Sequence, residues 1–141
     1  MKFGGNWREH ADRGDYHTAI VEYVRELEPA TFHEVVNCLA DQIDIRGGHG
    51  LRLAIDANII VWAGMSRAVS DLIIGLIRDG RLHLHRCDLT PYRLSESGLK
   101  LPVIDAGPNE PLDRPHWLPC LLSTEPDHDA GLEVEFDPEW N

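Results

Sequence analysis

Cysteine, long apolar runs and positive charge are all scarce in this sequence, and each scarcity removes a class of protein. Cys38, Cys87 and Cys120 are too few and too scattered for a disulfide framework. A reducing compartment, the cytoplasm, is therefore the expected setting. No apolar stretch approaches the ~20 residues needed to cross a bilayer, so no membrane partner is expected. Met1 to His10 lacks the apolar centre of a secretory signal. There is no His-Glu-x-x-His, no phosphate-binding loop with its lysine and no nucleophile elbow. Gly47-Gly48-His49-Gly50 is rich in glycine but lacks the Lys-Ser/Thr that would hold phosphates, so it is expected only to turn the chain. The expectation is a protein that is not an enzyme and needs no cofactor.

What remains is a chain of 141 residues, 43% hydrophobic and 26% charged, the composition of one folded domain with tails. The net charge of −11 argues against a nucleic-acid partner on its face. Its distribution is uneven. Residues 59–101 carry six basic and four acidic groups, whereas residues 102–141 carry one basic and ten acidic groups. The mildly basic middle and the acidic end are therefore weighed separately.

Residues 1–14 mix glycine and charge without a period and predict a flexible arm. Asp15 to Leu27 repeats Ile20, Val24 and Leu27 at helical spacing behind a capping Asp15, and Glu28-Pro29 stops it. Thr31-Phe32-His33-Glu34 has the spacing of a capping box and starts a helix expected to end near Asp44 to Arg46. Leu51 to Ile55 alternates as a short strand. Ala57 to Ala63 is short and very apolar. Its β-branched residues allow a strand, but Gly64 and Ser66 after it favour a helix ended by glycine. Arg67 to Asp79 shows a sustained helical face of Val69, Leu72, Ile73, Leu76 and Ile77, closed by Gly80. Arg81 to Cys87 alternates as a strand, Asp88 to Pro91 turns, and Tyr92-Arg93-Leu94 is expected to start a return strand. Four prolines between Asp105 and Pro119 predict a stretch without regular structure, in a wrap over residues 105–123 whose Cys120-Leu121-Leu122 can dock as a short strand, and residues 124–141 form an acidic tail.

Two stretches, ANIIVWAGMSRAVSDLIIGLIR (57–78) and DGRLHLHRCDLTPYRLSESGLKL (79–101), together resemble the winged helix-turn-helix domain. The first is similar to a short helix, a glycine turn and a recognition-type helix. The second is similar to the wing, with Tyr92-Arg93-Leu94-Ser95-Glu96-Ser97-Gly98 in the place of the return strand. The resemblance implies an α+β fold over residues 15–104: a three-helix core with a β-hairpin wing, an extra N-terminal helix and an irregular acidic C-terminal tail. It also implies DNA as the partner and transcriptional regulation as the role. The second of the two helices enters the major groove by its N-terminal end, so Ser66, Arg67, Ser70 and Arg78 are the expected contacts. Ser70, Asp71 and Ile74 are expected to face outward with the two arginines. Arg86, Thr90 and Arg93 of the wing are placed to reach phosphates. Winged helices also serve as protein-interaction modules, and this second reading keeps DNA out of the site.

The tail supports that second reading. Glu125, Asp127, Asp129, Glu133, Glu135, Asp137 and Glu139 interleave with Leu132, Val134, Phe136 and Trp140, a pattern of short interaction segments. Phe136 and Trp140, with Trp117 in the wrap, are the expected protein-contact residues. A solvated end, or a Leu-x-Val-x-Phe strand added to the sheet, fits the same residues. His83, His85 and Cys87 share one face of a strand, but the expectation is an ordinary strand face with no metal.

Overall fold

The computed structural model describes residues 5–94, 96–104, 112–126 and 134–137. Within the expected flexible arm, residues 5–12 are helical, while residues 1–4 lie outside the described residues: α1 (Gly5–Asp12) places Trp7 and Ala11 on one buried face. Burial of that face is what a loose arm cannot offer, and the Trp7 ring meets Tyr23 edge-on at 5.0 Å. α2 (Tyr16–Leu27) begins where Asp15 accepts from the Thr18 amide, and it buries Ala19, Ile20, Val21 and Val24. β1 (Ala30–Thr31) leads into α3 (Phe32–Cys38) through the expected capping box, with Thr31 and Glu34 each bonded to the other's backbone amide. α3 stops at Cys38, well before Asp44. The Leu39 carbonyl takes both the Gln42 and Ile43 amides in a closing turn, and Gln42 is tied back to Asp12 of α1 at 2.8 Å.

β2 (Arg46–Leu53) and β3 (Asp56–Met65) form an antiparallel hairpin, so residues 57–63 are strand and residues 47–50 are not a loop. β3 has β2 on one side and β5 (His116–Trp117), parallel to it, on the other. Ile59 to Ala63 are all buried. A strand covered on both faces shows no alternation and reads as a continuous apolar run, which is why a helix was expected. Gly64, at φ +84°, and Ser66 mark a strand-to-helix corner instead of a turn between two helices. Gly50 explains its own place in β2: a Cβ there would lie 2.4 Å from the Trp62 carbonyl oxygen.

α4 (Arg67–Arg78) fills the expected span and ends before Gly80, at φ +73°. β4 (His83–Arg86) follows. The expected return strand at Tyr92 to Leu94 is instead helix α5 (Thr90–Leu94). Asp88 accepts from the Thr90 amide at 2.9 Å and Pro91 sits in the first turn, both of which favour a helix start. The proline-rich segment is not wholly irregular either. It supplies β5, the short strand expected at Cys120-Leu121-Leu122 is β6 (Cys120–Ser123), and β7 (Val134–Asp137) comes from the acidic tail. The core accordingly extends beyond residues 15–104, to Trp7 and Ala11 on one side and to Trp117, Leu118, Cys120 and Leu122 on the other.

The result is a mixed α+β arrangement with two small sheets among the described residues. One has the order β1-β6-β4, antiparallel throughout, with Ala30 opposite Leu122 and Leu84 opposite Leu122 on its other side. The other has the order β5-β3-β2-β7. Trp62 of β3 joins the layers, stacking on Phe32 of α3 at 5.9 Å and on Tyr92 of α5 at 5.3 Å, while Trp117 meets Tyr92 edge-on at 4.9 Å. Among the described residues no helix is long and apolar enough to cross a membrane.

Candidate functional site

Three surfaces carry the residues singled out from the sequence. The first is α4. Ser66 caps it, its hydroxyl oxygen accepting from the Val69 amide at 3.2 Å, so that oxygen already has a local partner. Arg67 is exposed and lies 3.9 Å from Asp71 one turn on. Arg78, in the last turn, is also exposed, beside exposed Asp79. Ser70 and Ile74 do not face outward: Ser70 is fully buried and Ile74 nearly so, because β2 and β7 cover a flank of α4 that a freestanding recognition helix would expose. Ser70 therefore leaves the set of contacts. Its hydroxyl finds no hydrogen-bond partner among the described residues. The outward face that remains carries Arg67, Asp71, Arg78 and Asp79, two charges of each sign.

The second surface is a cleft of about 600 Å³ where β4 runs out into α5. It gathers Arg86, Thr90 and Arg93, three positions that the sequence placed on a wing. Val103 and Ile104 form an apolar wall, a contribution with no signal in the sequence beyond its hydrophobicity. Asp88 lies among the cationic residues. Hydrogen bonds from the Thr90 amide and hydroxyl, with Arg93 nearby, hold its carboxyl below the usual range. The cleft thus sets two guanidinium groups against one carboxylate. Cys87 at its floor is no nucleophile at neutral pH, since burial, helped by Asp88, pushes its thiol up to about 11.

The third surface is the edge where the acidic tail returns. Phe136 belongs to β7, which pairs antiparallel with β2 so that Gly50, Leu51, Arg52 and Leu53 stand opposite Asp137, Phe136, Glu135 and Val134. Of the three tail readings, the added strand describes residues 134–137. Trp140 lies outside the described residues. Trp117 is not available to a partner: it is 2% exposed, packed against Tyr92, and its indole N–H donates to the Val61 carbonyl at 3.2 Å. The burial that its aromatic neighbours offer outweighs any surface role. Arg52, the cation opposite Glu135, was not singled out from the sequence. Its alternation between Leu51 and Leu53 was the available signal.

A clasp holds the root of the tail. Glu28, beyond α2, accepts from the hydroxyls of Ser123 and Thr124 and from the Thr124 amide. Burial opposes its ionisation, but these hydrogen bonds together outweigh burial and hold the carboxyl below its usual range. His85 Nε2 donates to the Glu125 carbonyl at 2.7 Å, so His85 is committed to this clasp. Among the described residues no three His, Cys, Asp or Glu side chains gather as a metal site.

Comparison of the chain with protein-family models, with curated proteins and with solved structures finds no match.

Proposed function

We propose that the chain is a protein-interaction module on a winged-helix-type core, an acidic adaptor or inhibitor that does not itself read DNA. The core reading is supported by order and pairing. Helices α2, α3 and α4 come first, and the antiparallel strands β4 and β6, with α5 and β5 between them in the chain, then supply a two-stranded ribbon that β1 extends. This uses other elements than the sequence suggested, with the β2–β3 hairpin lying between α3 and α4.

One observation carries the functional choice. The outer face of α4 is charge-balanced, and its flank is closed by β7, which comes from a region of net charge −9. Nucleic-acid affinity rests chiefly on cations set against phosphates. A charge-balanced helix beside a segment of acidic sequence supplies no net positive charge to hold the duplex it would have to enter. Recognition of a protein segment through backbone pairing needs no such array of cations.

The test is capture from native lysate with and without nuclease, beside fluorescence anisotropy on random duplex DNA at ~50 mM salt, where non-specific DNA binding is strongest. A partner retained after nuclease, with no DNA binding, is the expected result. DNA binding whose logarithm falls steeply with the logarithm of salt would overturn it.

A second reading, a DNA-binding regulator, is favoured by the convergence of Arg86, Thr90 and Arg93 at one cleft, with Ser66 and Arg67 at the start of α4. Under that reading the double substitution Arg86→Ala and Arg93→Ala lowers the salt slope by about two.

A further inference from the structure

We propose that the outer edge of β2, residues Gly50–Leu53, is a strand-docking site for an acidic, alternately apolar segment of a partner protein, occupied in the free chain by its own residues 134–137. The proposal rests on the interaction-module reading and names the surface and the chemistry of the partner. An exposed sheet edge offers unsatisfied amides and carbonyls, and an extended segment binds it through the main chain while alternate side chains confer selectivity.

Here the chain shows what the edge accepts. The register sets Leu51 opposite Phe136 and Leu53 opposite Val134, apolar against apolar, and Arg52 opposite Glu135, cation against carboxylate. The charge bias holds along both strands. β2 contains Arg46 and Arg52 and no acidic residue, while β7 and its preceding neighbour supply Glu133, Glu135 and Asp137. α4 lies against both β2 and β7, so an incoming strand gains a wall as well as an edge.

The resident strand is suited to exchange. It pairs over four residues, and Pro138 immediately after it has no amide with which to extend the ladder. The Glu28 clasp at Ser123 and Thr124 fixes β6 independently, so release of residues 134–137 leaves the β1-β6-β4 sheet intact. A partner segment then competes only with a short tethered strand, whose advantage is its effective concentration.

The experiment uses the full chain and a fluorescein-labelled peptide, Leu-Glu-Val-Glu-Phe-Asp, read by anisotropy. Glu135→Lys sets a cation opposite Arg52 and weakens the resident strand. The variant is expected to bind the peptide about tenfold more tightly than the unaltered chain. Adding Arg52→Glu to that variant puts opposite charges back in the cross-strand pair and reseats the resident strand, so peptide binding should fall to the level of the unaltered chain, with any residual binding favouring Leu-Lys-Val-Lys-Phe-Asp. Equal binding of both peptides to both variants, or none to any, would overturn the proposal. So would a concentration-dependent dimer of the unaltered chain in light scattering, which would assign the edge to a second copy. Nuclease-resistant capture of a partner at full strength by Arg52→Glu alone would sink the edge while leaving the interaction-module reading in place.

Discussion

The hydroxyl of Tyr92 donates to the carbonyl of Cys120 at 2.7 Å, and the same oxygen accepts from the Phe32 amide at 3.0 Å. One side chain from α5 thereby satisfies backbone groups of β6 and α3, all of them buried. Tyr92→Phe keeps the ring and its stacking but removes the acceptor of the buried Phe32 amide and a donor to the Cys120 carbonyl. The expected cost is about 1–3 kcal/mol, read as a lowered urea midpoint at unchanged slope. An unchanged midpoint would mean that water replaces the hydroxyl.

Two glycines should respond in opposite directions. Gly50→Ala drives a methyl to 2.4 Å from the Trp62 carbonyl oxygen, backbone that moves only if the hairpin moves, and should cost roughly 1–3 kcal/mol or more. Gly75 lies inside α4 with nothing within 4 Å of the added carbon. Gly75→Ala should stabilise by about 0.5–1 kcal/mol through helix propensity and a less flexible unfolded chain. Urea unfolding of the two variants side by side checks both signs.

Acid should unfold the protein through its hydrogen-bonded carboxylates. In the folded chain, hydrogen bonds outweigh burial at Glu28, and hydrogen bonds from the Leu112 and Asn58 amides hold Asp56 low. Asp88 is held low by Thr90. Because these folded-state pKa values lie below the unfolded ones, near 4, the stabilisation is full above that range and is lost as pH falls through the folded values. Urea midpoints should be flat from pH 7 to about 5 and fall steeply below about 4. Glu28→Gln should shallow that acid limb and lower the plateau. A fall beginning near pH 6 would point to histidine instead.

The elements that announce themselves locally were legible. Asp15, the Thr31–Glu34 box and Ser66 each cap the helix the sequence places after them, because a cap is decided within four residues. β4 was legible because one of its faces is buried and Leu84 alternates with half-buried His83 and His85. β3 was not, because its burial on both faces depends on β5, whose residues pair with it from 57 positions on, as in Ile60 with Trp117, and leaves no period to read. α5 was masked by a wing-like motif, although Asp88 and Pro91 already held its start signal. The convergence of Arg86, Thr90 and Arg93 was legible in part, since all three fall within eight residues. The loss of Ser70 from α4's outer face was not, because it is caused by β2 and β7, which the chain brings in from outside the helix.

The thiols should be sluggish. Burial pushes Cys38 up to about 12 and Cys87 up to about 11, and Cys120 is fully buried. Iodoacetamide at pH 8 should label none of the three at an appreciable rate in the native protein and all three in denaturant, counted by intact mass. Rapid native labelling of Cys87 would show that the cleft above it opens.

The non-local pairings also govern how the chain can fold as it is made. Ala30 waits for Leu122, Ile60 for Trp117 and Leu51 for Phe136. While a ribosome still holds residues 116–137, β1 is without β6, β3 without β5 and β2 without β7, and only helices and the β2–β3 hairpin can settle. Nascent chains of this protein stay open-edged until residues 116–137 have emerged and join both sheets together.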